Sequence, residues 1–339
     1  MRIEQNFSLE PFNTFHLPVR ARWFMEYAGE TELEHMLRDK SFRELPALHI
    51  GSGSNLLFLN DFDGIILHSA IRGIEPVRET ADAVWLRAGA AETWDRVTAL
   101  AAENGWGGIE NLSLIPGETG AAAVQNIGAY GVEIGERIET VEAINRRTLE
   151  KQTFTNAACR YGYRDSFFKD EHHDPYVITY VTLRLSKQPV FRLAYGNLKE
   201  RLASSGVPPT VAAVREAVIR IRREKLPDPE VLGNAGSFFV NPVVPQEQFE
   251  ALKRESPTLP SYPSPDGQVK LSAGWLIEQC GLKGLRRGAV GTYDRQALVI
   301  VNYGGATGHD IAQFAEEIRA TVHRRFGITL KPEVKYIAG

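Results

Sequence analysis

The apolar run Ala47–Ile50 is followed at once by Gly51-Ser-Gly53-Ser-Asn-Leu56, and Asn60-Asp-Phe-Asp-Gly64 then turns into a second β-rich run, Gly64–His68. Adjacent glycines let backbone N–H groups close on an anion, as a pyrophosphate requires. No helix fits between this loop and the next strand, and the third glycine of G-x-G-x-x-G is absent, so the doubly wound dinucleotide fold is excluded. No Gly-Lys-Ser/Thr follows, which removes a Walker-type site. Taken alone, the loop reads as an ordinary β-turn.

A second loop changes that balance. Pro116-Gly117-Glu-Thr-Gly120-Ala-Ala-Ala-Val-Gln125-Asn126-Ile-Gly128-Ala-Tyr130-Gly131 carries four glycines in sixteen residues. Small residues at 120–123 let a ligand lie against backbone, and Gln125 and Asn126 offer the amide donors and acceptors that read a flat heteroaromatic ring. A tight corner between strands explains the glycines but not Gln-Asn beside Tyr. Two such loops on a non-Rossmann frame point to an extended dinucleotide, with FAD the leading candidate.

The rest of the chain sets the frame. Length predicts two or three domains. Strands are expected at Ala21–Tyr27, Ala47–Ile50, Gly64–His68 and Val84–Ala88. Helical stripes are expected behind a capping box at Thr31–Glu34, through Trp94, Val97, Leu100 and Ala101, and through Val211, Val214, Val218 and Ile221. A further helix is expected from about His309 to Phe326 with Gly327 as its C-cap. Strands outnumber helices without regular alternation, so the fold class is α+β. Joints are expected near residue 70 and at Ser204–Pro209, and Ser256–Gly267 reads as a surface loop.

Thirty-nine basic against forty-two acidic residues give a formal charge of −3, which leaves no broad nucleic-acid surface but allows a local basic pocket. Two distant cysteines, Cys159 and Cys280, build neither a disulfide framework nor a metal knuckle. No stretch approaches the roughly 20 apolar residues of a spanning helix, and the N-terminus has no signal-peptide core. The expectation is a cytoplasmic monomer acting on a small molecule, with neither nucleic acid nor membrane as partner. No metal site is expected, since His172-His173, the only adjacent histidine pair, lies in an acidic loop.

Three stretches concentrate reactive groups. Tyr161-Gly-Tyr163-Arg164-Asp165-Ser166 places a planar cation suited to a carboxylate or phosphate, although an ion pair with Asp165 or another acid is the plainer fate. Gly233-Asn-Ala-Gly236-Ser237-Phe-Phe239 sets a hydroxyl in a tight apolar context, where backbone satisfaction is the alternative to proton donation. Lys331-Pro-Glu333-Val-Lys335-Tyr336 ends the chain in a strand-like segment whose Glu is either half-buried or a solvated edge charge. The run Arg220, Arg222, Arg223, Lys225 is a solvated helix face or a cover for ligand phosphates.

In order, GSGSNLL, IPGETGAAAVQNIGAYG, YRDSFFK, KLPDP…GNAGSFFVNP, SAGWLIEQCGLKG and KPEVKYI resemble the UDP-N-acetylenolpyruvoylglucosamine reductases across nearly the whole chain. Phe191–Leu198, with Tyr195, resembles the mobile tyrosine loop of that family's longer subtype. The resemblance implies an FAD-binding fold of the vanillyl-alcohol-oxidase-like type in two subdomains, 1–70 with 331–339 and 71–205, and a substrate-binding domain, 206–330. It implies NADPH as co-substrate, Ser237 as proton donor, and Arg164 and Glu333 at the substrate carboxylate. Gly51, Ser52, Gly53, Ser54, Asn55, Ile115, Pro116, Gly120, Gln125, Ile127, Gly128, Arg222 and Lys335 would line the FAD. Tyr130, Tyr163, Tyr195, Lys225, Asn241 and Gln296 would contact the nucleotide-sugar. Two departures stand out: Lys335 replaces a frequent Arg, and Glu118 puts a charge in the phosphate loop, where it is expected to face away from the pyrophosphate. A related oxidase would tether its flavin through a His or Cys, for which His49 and His68 are the nearest groups. A non-enzymatic nucleotide-sugar binder would have lost Ser237, Arg164 or Glu333, and all three are present.

Overall fold

In the computed structural model Ala47–Ile50 pairs in parallel with Phe62–Ser69, Ala47 opposite Ile65. Between them the chain forms only the short strand Leu56–Phe58. A parallel pair normally needs a crossover helix. Here the connection leaves the sheet, and Leu56–Phe58 pairs instead with Lys335–Ile337 near the C-terminus. The structure describes residues 1–39, 45–169, 175–206, 208–264 and 267–339; His172-His173, Val207 of the Ser204–Pro209 joint and positions 265–266 lie outside them.

The described residues fall into two units. One comprises Met1–Phe7, Ala21–Ser52 and Asp63–Arg222, and the other Ser8–Arg20, Gly53–Phe62 and Arg223–Gly339. In the first, a four-stranded sheet runs Arg2–Ser8, Arg20–Tyr27, Phe62–Ser69, Ala47–Ile50. A five-stranded antiparallel sheet runs Lys151–Thr155, Ile138–Asn145, Tyr176–Ser186, Ala83–Gly89, Ile74–Glu79. Trp94, Val97 and Ala101 of helix Trp94–Glu103 pack on this sheet with Val84, Leu86, Val141 and Val181. Val214, Val218 and Ile221 of helix Val211–Lys225 pack on Leu198 and Leu202, with Tyr130, Phe191 and Leu193 against them.

The second unit is organised by helix Gly308–Phe326. Its stripe Ile311, Phe314, Ala315, Ile318, Val322 is buried as the 3.6-residue period demands, and Gly327 closes it in the left-handed conformation (φ 65°). Opposite lie Phe15, Phe238 and Phe239, each no more than 1% exposed, whose burial contributes about 1.5–3 kcal/mol per ring.

Two expectations are corrected. Thr31 does not cap a helix: Glu30–Arg38 starts earlier, Gly29 is its N-cap, and Glu32 turns back to accept the Ala28 N–H at 2.9 Å. The genuine capping box is Thr307 with Asp310. Ser256–Gly267 is also not merely a loop, since Ser261–Pro263 pairs with Val269–Leu271.

Candidate functional site

In the first unit the strand Ala47–Ile50 delivers Gly51 and Ser52 beside the short helix Thr119–Gln125. A methyl on Gly51 would lie 2.8 Å from a Glu118 carboxylate oxygen. Glu118 lies against the loop at Gly51, and its other oxygen is 3.7 Å from His68 Nε2. His68 Nδ1 is 3.0 Å from Glu26. Gly120 donates to the Ala90 carbonyl at 2.9 Å, and a methyl there would meet the Ala90 Cβ at 2.9 Å, so only glycine permits this approach.

The Gln125-Asn126 pair divides. Asn126, left-handed at φ 44°, accepts from Gly135 N–H and donates to Glu133 and the Gly162 carbonyl, so its amide is committed to structure. Gln125 Oε1 is buried with no hydrogen-bond partner among the described residues, and so is Ser52 Oγ. A buried polar atom without a partner costs about 1–3 kcal/mol unless something satisfies it. Ile115 and Ile127 pack at the edge of the same core, and Pro116 is exposed.

Arg164, itself left-handed at φ 54°, donates through Nη2 to the Gly128 carbonyl at 2.6 Å and stands 4.0 Å from Glu133, not against Asp165. Arg164 comes close to the Gly128 backbone, where a methyl would lie 2.7 Å from Arg164 Nη1. Tyr163 lies beneath the Arg164 guanidinium and is 37% exposed. Tyr195 meets Tyr130 edge-on at 6.2 Å.

The basic run on helix Val211–Lys225 also divides. Arg220 is exposed and paired with Glu216, and Arg223 and Lys225 are exposed. Arg222 turns inward, and its Nε donates to the Leu114 carbonyl at 3.2 Å. That is its one hydrogen bond among the described residues, and it has no ion pair there. Burial lowers its guanidinium from the ordinary value, opposed by Tyr130 and Asp95. A hydroxyl, an amide and a buried cation with unused capacity around two glycine loops fit a flavin dinucleotide.

In the second unit Gly53, at φ 69°, approaches Phe12 so closely that no side chain fits. Asn55 donates to the Glu333 carbonyl at 3.1 Å, and Lys335 N–H returns to the Asn55 carbonyl at 3.0 Å. Lys335 is exposed, and Ser54 sits half-buried beside Asn55. Glu333 N–H donates to Phe238 O at 2.8 Å and Val240 N–H to Lys331 O at 3.0 Å, so the terminal segment runs alongside Ser237–Val240. The structure thus brings half-buried Glu333 next to Ser237.

Ser237 is exposed, a correction to the tight apolar setting. Phe238 and Phe239 are buried behind it, and its hydroxyl makes no hydrogen bond among the described residues. Asn241 Oδ1 accepts the Ala273 N–H at 2.9 Å, and Gln296 Oε1 lies beside Gly274, so both amides meet at the start of helix Ala273–Gln279. Among the described residues no cluster of metal-ligating side chains forms, and no helix is long and apolar enough to cross a membrane. His49 Nε2 is 2.7 Å from the Tyr27 hydroxyl and His68 is held by Glu26, which speaks against a flavin tether at either ring. Asp95, which accepts the Leu114 N–H and is paired with Arg215, carries no sequence signal of this role, because an Asp in the first turn of a helix ordinarily reads as a dipole partner.

Comparison with known proteins follows this geometry. Residues 228–337 match the family described as UDP-N-acetylenolpyruvoylglucosamine reductase, C-terminal domain, and residues 23–147 match an FAD binding domain. A protein from Porphyromonas gingivalis named UDP-N-acetylenolpyruvoylglucosamine reductase is 52% identical, covering 99% of this chain and 100% of its own. One of the same name from Chromobacterium violaceum is 48% identical over 98% of both. The crystal structure of the UDP-N-acetylenolpyruvylglucosamine reductase from Thermus caldophilus shares the fold, with TM-score 0.70 and 23% identity over 99% of both chains.

Proposed function

The chain belongs to the UDP-N-acetylenolpyruvoylglucosamine reductase family, and we propose that it reduces the enolpyruvyl ether of UDP-N-acetylglucosamine to UDP-N-acetylmuramate for peptidoglycan synthesis. The reductant is NADPH, the work is done by a monomer, and the compartment is the cytoplasm. A bound FAD would supply hydride-transfer chemistry between NADPH and the terminal vinyl carbon of the substrate. In the first unit Gly51, Ser52, Ile115, Pro116, Gly120, Gln125, Ile127, Gly128 and Arg222 would hold it, Ser52 Oγ and Gln125 Oε1 finding there the partners they lack among the described residues. In the second, Gly53, Ser54, Asn55 and Lys335 would do so. We retain the three-part division 1–70 with 331–339, 71–205 and 206–330, supported at one joint by the pairing of Lys335–Ile337 with Leu56–Phe58.

The chain's own residues do the rest. Ser237 gives its proton to the carbon next to the substrate carboxylate. Arg164 and Glu333 act at that carboxylate, fixed groups aimed where charge develops as the alkene is reduced. Lys225, Tyr130, Tyr163, Tyr195, Asn241 and Gln296 bind the nucleotide-sugar and thereby orient the vinyl carbon, with Lys225 near phosphate.

The observation that carries this reading is the backbone pairing that draws Glu333 alongside Phe238, the residue after Ser237. An exposed hydroxyl with no hydrogen-bond partner among the described residues, beside a half-buried carboxyl, suits a proton donor facing a bound anion. The test is Ser237→Ala in rapid-mixing experiments under anaerobic conditions. Flavin reduction by NADPH should stay near wild type, and reoxidation by the enolpyruvyl substrate should slow about a hundredfold or more. Equal loss in both halves contradicts the role.

A further inference from the structure

Leu114 stands at φ 58°, a conformation unfavourable for any residue with a Cβ, immediately before Ile115 and Pro116. Both ends of its peptide are held. Its N–H donates to Asp95 Oδ1 at 2.6 Å, and its carbonyl accepts Arg222 Nε at 3.2 Å. Asp95 is gripped in turn by Arg215, Nη1 to Oδ1 at 2.7 Å and Nη2 to Oδ2 at 2.9 Å, with the Thr98 hydroxyl at 3.2 Å. Arg215 and Arg222 stand seven residues apart on helix Val211–Lys225, two turns and the same face. The loop is sewn to the same helix start at other points: Trp94 Nε1 donates to Leu112 O, Trp94 N–H to Gly117 O, and Thr119 N–H to Glu92 O. Of these contacts, two come from charged groups: Asp95 holds the Leu114 N–H and Arg222 the Leu114 carbonyl.

Resting on the functional reading above, we propose that Asp95 is a positioning residue for the cofactor. Its carboxylate holds Leu114 in the left-handed conformation that presents Ile115–Pro116 to the flavin. By occupying Arg215 it also leaves Arg222, bound to the protein only through Nε, with both Nη atoms for the ligand. Burial works against the Asp95 charge, but Arg215, the Leu114 N–H and Thr98 hold its carboxyl below the usual range. The anion is therefore the form present at neutral pH.

The test measures FAD affinity of the apoprotein by flavin fluorescence, together with apoprotein melting by circular dichroism. Asp95→Ala should weaken FAD binding roughly tenfold or more, the scale of one charge-assisted hydrogen bond. Arg215→Ala leaves the Asp95–Leu114 bond in place and should weaken it clearly less. Adding Leu114→Gly to Asp95→Ala should restore several-fold of the lost affinity without restoring the melting temperature, because glycine takes the left-handed conformation unaided. If Asp95 only joins two helices, the two single variants lose FAD equally and Gly at 114 restores nothing, and that result overturns the proposal. So does full FAD affinity in folded Asp95→Ala. A wild-type protein that takes up no FAD overturns the functional reading itself, and this role with it.

Discussion

His49 lies one strand residue before the first glycine loop, with the Tyr27 hydroxyl 2.7 Å from its Nε2. Burial above all, then His68 and Arg146, pushes its imidazole down to about 3. An unfolded histidine binds its proton near pH 6.5. Between those values the unfolded chain holds a proton the folded one lacks, so His49's contribution to stability is complete above about pH 6.5 and falls as pH drops toward 3. Urea unfolding from pH 7 to pH 4 should show this decline, and His49→Gln, neutral throughout, should show a flatter one; parallel slopes would remove His49 as the cause. At this scale the sequence was half legible. Residue types marked Gln125 and Asn126 together, but only the folded neighbours separate them, because Gly135 and Gly162 reach Asn126 from beyond the loop. The approach of Glu118 to His68, 50 positions earlier in the chain, could not be seen from spacing.

Elements were the most legible level where one apolar period ran unbroken. Helix Gly308–Phe326 matches its expected bounds because five inward residues and a terminal glycine agree on it. Two substitutions there separate core from cap. Ile311→Ala should cost about 2–5 kcal/mol and Thr307→Ala about 1 kcal/mol in chemical denaturation, with the m-value unchanged. The reverse order would mean that the helix is held by its end and not by its face. Helix Val211–Lys225 was equally visible, but the inward turn of Arg222 was not. A helical period predicts which face is buried, and a guanidinium on the boundary between faces can go either way. The short terminal strand was the hardest to read, since Lys335–Ile337 finds its partner near residue 56, and Asn55 bonds Glu333 across 278 positions of sequence. No local signal encodes a partner that distant.

For the whole molecule, six ordered motifs were enough to expect an α+β flavoprotein, and the family matches at both ends of the chain bear that out. The helix-free passage between Ala47–Ile50 and Phe62–Ser69 removed the commoner dinucleotide fold, and the structure retains it. Pairings across the length of the chain stayed hidden because they are decided by packing in the final fold. The proposed function depends on a bound flavin that would cycle between a nucleotide reductant and an enolpyruvyl nucleotide-sugar. The most direct measurement is an anaerobic titration of the FAD-loaded wild-type protein, followed by its visible absorbance. NADPH should bleach the flavin, and one equivalent of UDP-N-acetylglucosamine enolpyruvate should restore the colour and yield one equivalent of UDP-N-acetylmuramate. A flavin that NADPH leaves oxidised, or that stays bleached when the enolpyruvyl substrate is added, would contradict the account.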